Sequence, residues 1–327
     1  MSDVRAMLVG KVNDVWTRRI ESISTRSLGE GEVLIAVEYS CINYKDGLST
    51  TEKGKVARID PLIPGVDLAG TVVESSDPSV AVGSQVIAHG NDIGVAHHGG
   101  FATMARVPAR WIVPMPKGLT TKTAMMVGTA GFTAALSVDA LERAGLKTGA
   151  GPVLVTGATG GVGSYAVGML AARGYEVVAS TGKASEGEWL KSIGASEIID
   201  RSETSAEQSK PLEKERWAGA VDCVGGNTLA YVLRTLKYGA SVAASGLTGG
   251  ANLPTTVLPF ILRGVNLLGI DSVSGSMDDR KMMWARIATD LNDTQESVIV
   301  GLDAVEPHLD AILNGQVKSR VLVDPRI

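Results

Sequence analysis

Two hydrophobic periods succeed one another along this chain, and the change between them divides it. From Ala6 to Arg110, short apolar runs are broken by Gly and Pro at close intervals: AMLVG, EVLIAVEYS, GTVVES, SQVIAH and FATMARVP. Runs of that length, with no competing helical repeat, predict strands joined by turns and together a compact, partly open barrel. Between Thr120 and Leu146 the spacing becomes helical, with Gly128, Thr129, Ala130 and Gly131 small enough for close packing. From Val153 onward, strand-length runs (VLVT, EVVAS, SEIID, AVDCV, SVAASG, VNLLGI) alternate with helix-length segments. Such alternation predicts right-handed crossovers in a doubly wound parallel sheet, an α/β fold with ligands at the carboxyl ends of its strands. The segment PHLDAILNGQVKSRVLVD reads as a helix and a strand too short to stand alone. It is expected to return to the first domain and leave a cleft between two lobes. The expected division is a β-rich domain over 1–122, a dinucleotide-binding domain over 123–291, and the return over 292–327.

The chemistry starts at Val153–Gly174, VLVTGATGGVGSYAVGMLAARG. Four strand residues run into a glycine-crowded turn, and a helix follows with apolar positions at Val162, Tyr165, Val167, Leu170 and Ala171. The first N–H groups of a helix have no internal acceptor and lie at the positive end of its dipole, which suits a pyrophosphate. Gly160, Gly161 and Gly163 let a diphosphate approach the main chain, and Thr159 and Val162 belong to the same cradle. Ala158 stands where the G-x-G-x-x-G pattern has its first glycine. After the next strand, an NAD site would place an acid against the ribose 2′-hydroxyl. Here Ser180, Thr181, Gly182 and Lys183 stand instead, and Arg201 follows the third strand. Hydroxyls and cations at that edge suit a 2′-phosphate, so the expected cofactor is NADPH.

A chain of 327 residues, 44% of them hydrophobic, has room for two buried cores. Its net charge of −4 gives no electrostatic footprint for nucleic acid or an anionic membrane surface. No apolar leader precedes the first strand, and Pro254, Pro259 and Arg263 interrupt the most apolar late stretch, so neither a signal peptide nor a membrane span is expected. Cys41 and Cys223 are too few and too far apart for a disulfide framework, which points to a soluble protein of the reducing cytoplasm.

Read in order, CINYKDGL, KGKVARID, PLIPGVDLAGTV, GTAGFTAALSVDALE, TGATGGVGS, PLEKERWAGAVDCVGG and LPTTVLPFILRGVNLLGIDSV resemble the acrylyl-CoA reductase family of the medium-chain dehydrogenase/reductase superfamily. The resemblance runs along essentially the whole chain. It implies a GroES-like β-barrel catalytic domain, a Rossmann domain, and NADPH-dependent reduction of acryloyl-CoA to propanoyl-CoA. It also implies a homodimer paired through the late strands after VNLLGI, and cofactor contacts at Tyr44, Leu247, Ile261, Ser272 and Asn314.

Departures from the zinc alcohol dehydrogenase branch bear on the chemistry. Asn43 stands where that branch has a catalytic-zinc cysteine, and Gly65-Val66-Asp67 where it has Gly-His-Glu. The closely spaced cysteines of its structural-zinc lobe are missing. His89, His97, His98 and His308 have no ligand spacing, so no metal is expected. Reduction of an activated C=C bond needs less than alcohol oxidation does. Hydride adds to the β carbon, charge collects on the thioester oxygen, and a donor must meet it there. Tyr44 can donate at neutral pH, and with Asn43 and Asp46 it forms the candidate catalytic group, while Asp46 and Asp67 also read as buried hydrogen-bond partners. Two other functions fit the same pattern: a zinc-independent NADPH quinone or enone oxidoreductase, and an NADPH-binding protein without catalysis.

Overall fold

A computed structural model of the chain describes residues 3–207, 210–290 and 296–327. The chain forms two compact units, one of Met1–Thr129, Val273–Ala288 and Glu296–Ile327, the other of Ala130–Ser272 and Thr289–Gln295.

In the first unit an antiparallel hairpin, Asp3–Val12 with Val15–Ser24, turns through Asn13 and Asp14, both at positive φ as a two-residue hairpin turn requires. A seven-stranded sheet follows in the order Ser297–Val300, Arg320–Val323, Val33–Cys41, Asp67–Ser75, Gln85–His89, Ile112–Pro114, and Met104–Val107 pairs with Val33–Cys41 off that path. Two apolar clusters hold it, one built on Ile35, Val37, Leu68, Val72 and Val86, the other on Val4, Leu8, Ile63, Phe101 and Val323. The strand Arg320–Val323 lies antiparallel to Val33–Cys41, with Leu322 opposite Cys41. In the next pair of strands Asp67 lies directly opposite His89. These two registers gather the polar cluster described below.

The second unit is a parallel six-stranded sheet in the order Glu197–Asp200, Val177–Thr181, Val153–Thr156, Trp217–Asp222, Leu236–Ala244, Asn266–Gly269. Three strands are laid down in one direction from Val153–Thr156, and the next three on its other side. The reversal falls between Val153–Thr156 and Trp217–Asp222, where doubly wound sheets open a crevice at their carboxyl ends. Leu154, Val178, Ala220 and Val242 fill the core of this sheet.

Two helices have residues in both units. Helix Met277–Asp290 lies within the residues assigned to the second domain, yet 273–288 pack with the first unit. Its buried residues Arg280, Met283, Trp284 and Ile287 recur at helical spacing, and two of them bond to His89. Helix Thr121–Arg143 is broken at Gly128, whose φ of 52° and ψ of −161° are not helical. A Cβ there would crowd Asp67, Cys41 and Arg320, so both space and backbone demand glycine. This helix is also the one described helix long and apolar enough to cross a membrane, but 72% of its most apolar window is buried inside the protein.

Candidate functional site

In the second unit, strand Val153–Thr156 delivers the chain to Gly157 at φ 60°, and the Gly160 N–H closes the turn on the Gly157 carbonyl at 3.0 Å. Gly160 caps helix Gly161–Ala172, so the amides of Gly161, Val162 and Gly163 form its first turn, where no acceptor exists within the helix. A Cβ on Gly163 would lie 2.4 Å from the Gly157 carbonyl oxygen and 2.7 Å from Ala158 Cα. Only glycine lets the helix approach the strand this closely. The Thr159 hydroxyl meets that of Thr181 at 3.2 Å, tying the turn to the end of strand Val177–Thr181.

The adjacent strand ends carry the cations. Thr181 Oγ1 accepts the Lys183 N–H at 3.0 Å, and burial lowers the Lys183 ammonium pKa against the pull of Glu186. Asp200 caps the helix Arg201–Ser205 through the Ser202 N–H at 2.8 Å. The Arg201 side chain lies against Gly182, where a Cβ would come 2.5 Å from its Nε. Gly182, Lys183 and Arg201 therefore share one edge, because Val177–Thr181 and Glu197–Asp200 are neighbouring strands. Ser180, also offered by the sequence for a 2′-phosphate, is buried and bonded to Thr204 Oγ1 at 3.1 Å, so its hydroxyl serves the core. The arrangement fits a phosphorylated dinucleotide: main-chain donors for the diphosphate and two cations for a further phosphate.

Across the switch point, buried Asp222 accepts Thr156 Oγ1–H at 2.7 Å and the Gly225 N–H at 2.7 Å, joining the two strands that flank it. The strand stops at Asp222, so Cys223 begins the following turn, and burial pushes its thiol pKa up. Leu247 and Ser272 each follow a strand end by three residues. The Leu247 side chain is exposed, as is Ile261 on helix Leu258–Arg263. Tyr44 and Asn314 belong to the first unit, where the Asn314 amide donates to the Asp310 carbonyl at 3.0 Å.

In the first unit the three catalytic candidates part company. Tyr44 opens helix Tyr44–Ser49 and is half-buried. Asp46 has no exposed surface, and its carboxylate accepts three main-chain N–H groups, from Asn43 at 2.8 Å, Gly65 at 3.0 Å and Val66 at 2.8 Å. Burial pushes its pKa up to about 7 against the pull of those donors. Asn43 is equally committed, its amide donating to Asp67 at 2.8 Å and its oxygen accepting from Arg320 at 3.2 Å. Asn43 and Asp46 thus fix the helix, and Tyr44 is the member of the trio with a side chain at the surface.

Asp67 is the hub. Its carboxylate accepts the Thr129 N–H at 2.8 Å, the Thr129 hydroxyl at 2.5 Å, the Asn43 amide and the Cys41 thiol at 3.0 Å. The Arg320 guanidinium lies 3.8 Å away, and also donates to Cys41 Sγ at 2.7 Å and the Met126 carbonyl at 3.1 Å. Burial opposes ionisation of Asp67, but the neighbouring His89, the Arg320 guanidinium and the Cys41 and Thr129 donors outweigh it and hold the carboxyl below its usual range. Thr129 and Arg320 were not legible as site residues: the sequence marked Thr129 only as small and Arg320 not at all. The donor set does not fit a zinc ion. Asn43 spends its amide on Asp67, Val66 is aliphatic, a guanidinium already neutralises the carboxylate, and no three His, Cys, Asp or Glu among the described residues form a metal-holding group.

Residues 29–117 match the family of alcohol dehydrogenase GroES-like domains, and residues 161–289 match the zinc-binding dehydrogenase family. The chain is 53% identical to acrylyl-CoA reductase AcuI of Ruegeria pomeroyi over 93% of both proteins. The crystal structure of the YhdH oxidoreductase from Salmonella enterica in complex with NADP matches with a TM-score of 0.95 at 45% identity, over 98% of this chain and 99% of that one. The structure of Bacillus subtilis YhfP with NAD bound matches with a TM-score of 0.95 at 49% identity, over 99% of this chain and 100% of that one.

Two substitutions probe these sites. Gly163→Ala forces the helix off the strand, so it should cost about 1–3 kcal/mol in urea unfolding and weaken NADPH binding about tenfold by titration. Asp46→Ala leaves three main-chain donors without their acceptor, and the same unfolding measurement should show a loss of about 3 kcal/mol or more.

Proposed function

The chain belongs to the acrylyl-CoA reductase family within the medium-chain dehydrogenases/reductases, and we propose that it reduces acryloyl-CoA to propanoyl-CoA with NADPH. The observation that carries the proposal is the glycine turn at the sheet's switch point with Lys183 and Arg201 beside it, in a chain related to a reductase of that name along nearly its full length. NADPH, when bound, supplies a hydride to the β carbon of the thioester. The amides of Gly161, Val162 and Gly163 hold its diphosphate, and Lys183 and Arg201 hold its 2′-phosphate. Leu247, Ile261, Ser272 and Asn314 are the further cofactor contacts proposed on family grounds. Tyr44 donates a hydrogen bond to the carbonyl oxygen as negative charge gathers there, and the α carbon takes its proton from water. Asn43 and Asp46 keep the Tyr44 helix in place.

The reaction proceeds without zinc; in support, a guanidinium and committed amides occupy the polar cluster. Cytoplasmic location is supported by two free cysteines. A homodimer would pair the edge strand Asn266–Gly269, last in its sheet, where Leu267 and nearby Ile261 and Leu262 are exposed.

NADPH consumption measured side by side with acryloyl-CoA, crotonyl-CoA and a benzoquinone tests the assignment. Acryloyl-CoA should turn over fastest, NADPH should be preferred to NADH, and a chelator should leave the rate unchanged. Arg201→Ala should raise the KM for NADPH about tenfold or more while leaving NADH nearly unaffected. Faster quinone reduction, or no turnover of any acceptor, would overturn the proposal.

A further inference from the structure

Beside the Asp67 hub lies a buried histidine that the reaction does not use. His89 is only 1% exposed and sits across the strand pair from Asp67. Trp284, Arg280, Thr129 and the Asp67 carboxylate all bear on its state. The Trp284 indole N–H can only donate, and it meets His89 Nε2 at 2.9 Å, so Nε2 accepts and carries no proton. The Arg280 Nη1 lies 3.2 Å from Nδ1 and 3.3 Å from Nε2. An atom nearly equidistant from both ring nitrogens cannot lie along either lone pair, so it sits over the ring face. There a guanidinium suits a neutral imidazole and opposes a charged one. Burial, with this cation, outweighs the pull of the Asp67 carboxylate and pushes the His89 pKa down to about 3. A neutral ring with a bare Nε2 carries its proton on Nδ1. The Thr129 hydroxyl lies 3.4 Å from that nitrogen, and gives its own proton to Asp67.

We propose that His89, held as the neutral Nδ1–H tautomer, is a positioning residue that orients the Thr129 hydroxyl toward Asp67 and so sets Asn43 and the helix that carries Tyr44. The donors run one way: Trp284 N–H to His89 Nε2, His89 Nδ1–H to Thr129 Oγ1, and Thr129 O–H to Asp67. Asp67 then accepts from Asn43, the residue that caps the Tyr44 helix. Arg280 holds the arrangement from below. It donates to the His89 and Gly275 carbonyls at 3.2 Å and 3.3 Å and to that of Val273, and Asn91 N–H donates to Val273 as well. The kinetic part of the proposal rests on Tyr44 acting at the thioester; the tautomer does not.

Two measurements on the full-length protein separate these parts. Ring nitrogen–proton correlation spectra of the 15N-labelled protein, with His89 assigned through His89→Gln, should show Nδ1 protonated and Nε2 bare, unchanged between about pH 5 and 9. A protonated Nε2, or a ring that titrates in that range, would overturn the proposal whatever the enzyme reduces. Thr129→Val should lower kcat about tenfold with the KM for NADPH unchanged, and Thr129→Ser should restore it. Wild-type kcat in Thr129→Val would remove His89's link to the reaction. A wild-type protein that reduces no acyl-CoA, with the predicted tautomer intact, would instead count against the function proposed above.

Discussion

A carboxylate with no exposed surface must have its charge answered where it lies, and Asp67 in this chain is such a group. An isolated buried charge costs several kcal/mol, and removing one partner from a buried pair costs about 3–5 kcal/mol. The first unit meets that demand with an amide, a thiol, a hydroxyl, a main-chain N–H and a guanidinium drawn from three separate segments. Each donor then has its own geometry dictated by the carboxylate. The break at Gly128 follows from the same demand, because it turns Thr129 so that main chain and side chain both reach one acceptor. The left-handed backbone and the crowding at that glycine show how little room the cluster leaves.

The second unit rests on order instead of charge. Its sheet is laid outward from one central strand in both directions, which puts a turn, a helix start and two neighbouring strand ends along one edge. Glycine at 163 brings the helix close, and glycine at 182 lets a guanidinium lie on the backbone. What matters is which residue is absent at those two positions.

Much of this was legible in the sequence where the signal is local. The glycine turn, the strand–helix alternation and the lack of an acid at the ribose edge are all written within short windows, and the structure gathers Thr159, Thr181, Gly182, Lys183 and Arg201 as those windows imply. Non-local features were harder. Val15–Ser24 carries Thr, Arg, Glu and Ser among few apolar residues, so as half-exposed strand it gives no hydrophobic alternation strong enough to read. Helix Met277–Asp290 is polar on most of its surface and buries an arginine, which hides the face that assigns it to the first unit. Asp67 was recognisable as a buried carboxylate, but its partners Thr129 and Arg320 were not. Nothing in a linear spacing says that residues so far apart share one acceptor. Ser180 shows the reverse error: a hydroxyl at the right place in sequence, turned inward by the pleat of its strand.

Arg320 reaches Cys41 across 279 residues of chain. During vectorial synthesis the segment holding Cys41, Asn43 and Asp67 emerges early, whereas its counter-cation is among the late arrivals. Through most of translation that half-built barrel must keep its acid hydrated or protonated. The intervening parallel sheet has every strand it needs before Arg320 is made. The order of ribosomal delivery therefore favours the nucleotide unit as the first to mature, with the other unit closing around its arginine afterwards.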